Sequence, residues 1–152
     1  MISVQHEDFD IGEQYRLLRA DSDNAGAIVT FAGLVREYHG EPGGSEAPVS
    51  RLTLEHYPGM TEKALQQIEE QARERWPLQA CRIIHRVGAL DSGDQIVFVG
   101  TASAHRAAAF EAADFIMDYL KTRAPFWKKQ QRGGHSEWVE SRDTDYQAAR
   151  RW

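Results

Sequence analysis

The sequence predicts an α+β fold, a single domain with a mostly antiparallel sheet and helices packed on it. Three observations point there. Runs rich in β-branched and aromatic residues recur along the chain, at GAIVTFAGLVR, RLTLEHY, ACRIIHRVG and QIVFVGTAS. A segment between the second and third of them carries apolar residues at helical spacing. The elements fall in the order β-α-β-β-α-β-β-α-β-α with no internal repeat, the pattern of a layered α+β domain. With 152 residues, one domain over 1–152 can bury a sizeable core.

In order, residues 2–6 form a short strand, and Asp10 with Glu13 three positions on gives a capping-box start to a helix over 11–19. The strand over 26–36 reads as buried on both faces. Segment 37–50 holds three glycines and two prolines and is expected to be a mobile loop, a lid beside Arg36. A strand over 51–57 ends at the Pro58-Gly59 turn. Met60, Ala64, Leu65, Ile68, Ala72 and Trp76 then make one apolar stripe of a helix over 61–75, stopped by Pro77. Strands over 80–88 and 95–103 are joined by the polar turn ALDSGD, and a long helix covers 104–122, ending before Pro125. A Pro-Phe-Trp turn follows, presenting Lys128 and Lys129. A last strand over 137–142 and a short helix from Asp145 close the chain.

Composition narrows the function. Hydrophobic residues at 41% and charged residues at 27% are ordinary for a globular protein. No apolar run approaches the roughly 20 residues that span a bilayer, and the N-terminus has no secretory signal pattern. The one cysteine, Cys81, cannot form an internal disulfide and sits in an apolar alternation. It is expected to be inert core in a cytoplasmic protein.

The net charge is −5, yet Lys121, Arg123, Lys128, Lys129 and Arg132 fall between Tyr119 and Ser136 with no acid among them. A concentrated positive site on an acidic chain suits a small anion rather than a polyanion such as nucleic acid. Arg36, His105, Arg106, Lys121 and Lys128 all stand near ends of elements, where scaffolds present functional groups. At the start of the long helix Ser103 can cap, and free N–H groups with His105 and Arg106 favour an anion. Crowded cations depress one another's pKa, which makes a lysine a usable acid or base. The alternative for Lys121 is an intrahelical ion pair with Asp118.

His105 and Lys121 are 16 residues apart, about 24 Å along a helix. One small molecule cannot touch both within a subunit, so either two sites exist or a two-fold dimer shares them. HExxH, CxxC, GxxxxGKS/T and GxSxG are all absent, and the six histidines lack metal-ligand spacing. His56 and His85 lie inside strand patterns. An enzyme of this kind lacks its own reactive group and must borrow one.

The segments VTFAGLVR (29–36), LTLEHYPGMTEKAL (52–65), IHRVGAL with GDQIVFVG, SAHRAAAFEAADFIMDYLKTRAPFWKK (103–129) and WVESRDTD resemble the large, catalytic subunit family of molybdopterin synthase over nearly the whole chain. That resemblance implies a hammerhead-type layer architecture and a sulfurtransferase of molybdenum cofactor biosynthesis. Cyclic pyranopterin monophosphate would receive two sulfurs and become molybdopterin. The sulfur would come from the C-terminal Gly-Gly thiocarboxylate of a small ubiquitin-like carrier subunit. A homodimer would form the core of a heterotetramer. No cofactor, metal, membrane or nucleic acid is implied. Lys121 would be the essential lysine, acting as acid–base or covalently, and Lys128 would stabilise developing negative charge. Arg36 would bind substrate, flanked by backbone contacts of Leu34 and Val35. His105 and Arg106 would meet the phosphate across the dimer, and Lys129 and Gln130 would extend the contact. Phe31, Met117 and Arg142 are further lining candidates. The alternative reading is a non-catalytic anion-binding or carrier-docking module.

Overall fold

The computed structural model of the chain describes residues 1–37 and 48–152. Its elements are β1 (Ile2–Gln5), α1 (Ile11–Ala20), β2 (Ala27–Leu34), β3 (Val49–His56), α2 (Met60–Arg75), β4 (Leu78–Arg86), β5 (Gly88–Asp91), β6 (Gln95–Ser103), α3 (Arg106–Arg123), β7 (Phe126–Arg132), β8 (His135–Val139) and α4 (Asp143–Ala149). The strands form two four-stranded sheets, ordered β1-β4-β6-β2 and β5-β3-β7-β8. Every pairing is antiparallel except β1 with β4. The α+β class read from the sequence therefore holds, with two sheets in place of one. Most of the segment expected to be a lid, 37–50, lies outside the described residues, and Val49 and Ser50 already belong to β3.

Strand alternation divides the first sheet cleanly. Cys81 and Ile83 of β4 and Val97 and Val99 of β6 turn toward Leu65, Ile68 and Ala72 of α2 and toward Ala113, Phe115 and Ile116 of α3. Ala80, Ile84, Phe98 and Ala102 turn the other way and receive Phe9 and Leu18 of α1. Each fully buried Leu, Ile or Phe contributes about 1.5–3 kcal/mol of transfer free energy, so these two layers dominate cohesion. Cys81 is buried core, and burial pushes its thiol up to about 12. The second sheet has its own cluster, Val35, Leu52, Leu54, Val87 and Leu90, with Phe126 packed on it.

The C-terminus is tied to α3. Trp152 meets Trp76 and Phe115 edge-on, at ring-centroid distances of 5.4 and 5.7 Å. The Asp118 carboxylate accepts hydrogen bonds from Trp152 Nε1 (2.6 Å) and from Arg151 Nη2 (2.9 Å). Asp118 thus pairs forward with the C-terminal residues rather than with Lys121.

Several local expectations change. β2 is an edge strand, with Phe31 and Leu34 exposed, because an apolar run alone cannot distinguish a doubly buried strand from an edge with one apolar outer face. Asp10 does cap α1 by accepting the Glu13 N–H, but the Glu13 carboxylate turns to Arg16 and the reciprocal half of the box is not made. Ser103 is buried and donates to the Pro77 carbonyl, so His105 takes the N-cap position of α3. Part of the expected polar turn at 89–94 is strand β5, paired with β3.

The expected turn at 125–129 is the start of β7, and β7 continues into β8 through a two-residue Gly133-Gly134 loop. Gly133 has φ 55°, the left-handed region that such hairpin loops require. β8 begins two residues earlier than expected, and α4 begins at Asp143.

Gly100 is needed for the seat of α1. A Cβ there would lie 2.4 Å from Leu18 Cδ1. Gly100→Ala should lower stability to urea by about 1–3 kcal/mol. In a double-mutant cycle with Leu18→Ala the two losses should be less than additive, because the second truncation vacates the space that the first one needs. Additive losses would show that the contact does not determine the seat.

Candidate functional site

Register builds the site. On β3, Leu52, Leu54 and His56 alternate toward the interior, and they stand opposite Gln130, Lys128 and Phe126 of β7. Lys128 therefore occupies the inner face of a sheet, between Phe126 and Gln130, while Trp127 and Lys129 face out. Gln130 is buried, and Lys129 Nζ lies 5.7 Å from the ring centroid of Trp138, its partner on β8.

The C-terminal turn of α3 brings Lys121 to the same place, close enough for its charge to act on the Lys128 ammonium. Burial first, and then the charge of the adjacent Lys121, push the Lys128 ammonium down to about 8. Arg142 adds to that depression and Asp145 opposes it, so the start of α4 also borders the pair. Asp145 in turn accepts the Arg142 backbone N–H (3.0 Å), and Ser141 Oγ donates to the Lys121 carbonyl (2.8 Å).

His85 lies beneath the pair on β4. Its ring stacks on Phe126 with centroids 3.8 Å apart and planes 20° apart. Its Nδ1 lies 2.9 Å from the Arg86 carbonyl, which only accepts, so Nδ1 carries the proton. Burial, with the nearby charges of Lys128, Lys121 and His56, holds the imidazolium down to about 4, against the opposing hydrogen bond to Arg86. The ring is neutral at pH 7. His56 faces Glu62 at 3.4 Å.

Of the residues singled out from sequence, Lys121, Lys128 and Arg142 converge here, with Gln130 on the same strand face as Lys128. Met117 is half-buried one turn before Lys121 on α3. Lys129 belongs to the opposite face. His105 and Arg106 stand exposed at the far end of the unbroken α3, about 24 Å away at 1.5 Å per residue.

Phe31 and Leu34 are exposed on β2, and Arg36 is exposed beyond its end. Val35 is buried, and its N–H and carbonyl already pair with Asp94 and Gly93, so the backbone contact expected from it is taken up within the fold. His85, Phe126 and Asp145 were missed as neighbours of the lysines. The inward parity of His85, two positions beyond Ile83, was the available signal for the first. Among the described residues no group of three or more His, Cys, Asp or Glu is placed to hold a metal. The arrangement can attract an anion and move a proton near neutral pH.

Comparison with known proteins gives a consistent picture. A family model described as MoaE protein matches residues 4–123. The molybdopterin synthase catalytic subunit of Vibrio cholerae serotype O1 is 57% identical over 152 residues, spanning 99% of this chain and 97% of that one. The solved structure of the molybdopterin biosynthesis MoaE protein from Burkholderia ambifaria superposes with a TM-score of 0.83 at 45% identity, covering 100% of this chain and 97% of that chain. Molybdopterin synthase from Staphylococcus aureus gives 0.78 at 33% identity, over 90% of this chain and 94% of that one.

The depressed Lys128 has a stability consequence. Between about 8 and 10.5 the unfolded chain binds a proton at this lysine that the folded chain has lost, so stability rises with pH through that window. Below pH 8 the folded protein carries the full cost. Lys128→Met should therefore stabilise the protein by about 1–3 kcal/mol at pH 7. The gain should shrink toward pH 10.5, as read by urea unfolding at both pH values. A loss of stability at pH 7 would contradict the assigned burial.

Proposed function

The chain belongs to the MoaE protein family, and from that membership we propose that it is the catalytic subunit of a molybdopterin synthase. In this reading it transfers two sulfurs to cyclic pyranopterin monophosphate, each from the C-terminal thiocarboxylate of one small ubiquitin-like carrier subunit. The product is the dithiolene of molybdopterin. The observation that carries the reading is the Lys121–Lys128 pair, with Lys128 held near 8 by burial and by its neighbour.

Both reactants are anions, and the pair meets each with positive charge in a partly desolvated place, where such charge counts for more than in water. A lysine near 8 is also poised to exchange a proton at physiological pH, as an acid–base group must. Lys121, exposed at the end of α3, reaches the reacting centre as acid–base or transient covalent partner. Lys128, fixed in β7, stabilises negative charge as the thiocarboxylate is consumed. No sulfur nucleophile is needed from this chain, because the carrier brings the sulfur.

Arg36 binds substrate from the end of β2. His105 and Arg106 act on the phosphate of a substrate held by the neighbouring protomer of a homodimer, since one α3 keeps its two ends too far apart to share a ligand. Two carriers on that dimer make a heterotetramer. A cytoplasmic location fits the single buried thiol of Cys81, and no helix among the described residues is long and apolar enough to cross a membrane.

The test is conversion of cyclic pyranopterin monophosphate by the purified protein with a thiocarboxylated carrier. Dithiolene should form, and should not form with an unmodified carrier. Lys121→Ala should reduce kcat by about 100-fold or more while the far-UV spectrum and unfolding midpoint stay near wild type. Arg36→Ala should chiefly raise KM. Stable carrier binding without product would favour a docking module instead, and normal turnover by Lys121→Ala would remove the catalytic assignment.

A further inference from the structure

The two lysines lie on opposite sides of a short connector. Lys121 sits in the last turn of α3 and Lys128 in the third position of β7, with Ala124 and Pro125 between the two elements. Lysine side chains repel when both are charged, so their contact depends on whatever holds this connector in place. Two side chains grip it from elements that carry neither lysine.

The first is Thr61, fully buried in the opening turn of α2. Its hydroxyl donates to the Pro125 carbonyl (3.0 Å) and accepts the Tyr57 N–H (3.0 Å). The second is the neutral His85 ring, stacked on Phe126. His85 is itself held by its Nδ1–H bond to Arg86 and by the pairing of β4 with β1 and β6. One grip holds the backbone immediately before β7, and the other holds its first side chain.

We propose that Thr61 and His85 are positioning residues, a two-point clamp on Pro125-Phe126 that keeps Lys121 and Lys128 in contact. The proposal rests on the reading of those lysines as the reacting pair. A proline at the clamped position suits this role, because its ring fixes φ and it has no backbone N–H that needs a partner in the connector. Phe126 closes the connector with a tight turn, its N–H donating to the Ala124 carbonyl (3.0 Å). The depressed Lys128 ammonium supports the geometry, since part of the depression comes from Lys121. The groups facing Lys128 are Lys121 from α3, Arg142 and Asp145 from the start of α4, and His85 from β4, with His56 of β3 opposite Phe126 and paired to Glu62 of α2.

The experiment compares Thr61→Val, Thr61→Ser, His85→Leu and His85→Phe with wild type, in the intact chain with its carrier. Two quantities are read. One is the titration midpoint of Lys128, followed by NMR with the Lys128→Met spectrum used for assignment. The other is the division of the turnover effect between kcat and KM. Thr61→Val and His85→Leu should move the midpoint from about 8 toward 10.5 and lower kcat about 10-fold or more with a smaller change in KM.

Thr61→Ser, which keeps the hydroxyl, and His85→Phe, which keeps the stack without a titrating nitrogen, should restore both quantities toward wild type. If Thr61→Val does not fold, the His85 pair alone decides. A midpoint that stays near 8 in both disruptive variants overturns the clamp, even if kcat falls. So does a His85→Phe variant that behaves like His85→Leu, because the ring would then act through its nitrogen. A midpoint that moves while turnover does not would uphold the clamp and remove the lysine pair from the chemistry.

Discussion

Lys128 stands on a sheet face whose neighbours are Leu54, Phe126 and Gln130, and it shares that place with the Lys121 side chain. Nothing in the hydrophobic economy of the fold favours this arrangement. Burying an ammonium and setting a second one beside it both raise free energy. The surrounding structure must therefore supply the constraint. Two apolar layers on the first sheet give the rigidity, and α3 packs on one of them through Ala113, Phe115, Ile116 and Leu120. Its C-terminal turn, and with it Lys121, is thereby fixed relative to the sheet. The C-terminal residues add a second restraint: Arg151 and Trp152 converge on Asp118, one turn before Lys121.

That constraint explains why function and stability pull apart at one residue. A sheet interior made only for cohesion would place an aliphatic side chain at position 128. The lysine there lowers stability at neutral pH and gains a proton equilibrium near the working pH. The α4 segment then balances the site, because Asp145 opposes and Arg142 reinforces the depression. An anionic reactant entering this place relieves the repulsion between the lysines, so ligand affinity and the cost of the empty site are two sides of one electrostatic term.

Much of this was legible in the sequence, and what was hidden has physical reasons. Helix α1 announces itself through Asp10 and Glu13, α2 through its apolar stripe and the stop at Pro77, and α3 through the stop before Pro125. The cationic run from Lys121 to Arg132 is plain in an acidic chain. β7 was hidden because Pro125 and the aromatic pair read as a turn. The alternation of Phe126, Lys128 and Gln130 against Trp127 and Lys129 becomes a strand signal only when Gly133-Gly134 is taken as a hairpin loop.

β5 was hidden because a four-residue strand has too little pattern of its own and exists by pairing with β3. The roles of Thr61 and His85 depend on contacts across 64 residues and between two sheets, which no local pattern encodes. The exposed edge of β2 escaped notice for a different reason: its composition resembles that of an interior strand, and only the sheet order shows that one side is uncovered.

Lys128 exchanges its proton near neutral pH because it is buried and because a second lysine is held against it. The most direct measurement is the pH dependence of kcat/KM for sulfur transfer, which reports the ionisations of the free enzyme. The wild-type profile should show an inflection near 8, and replacing Lys121 with Met should move that inflection upward in whatever activity remains. A wild-type profile with no inflection between pH 7 and 9 would contradict the account.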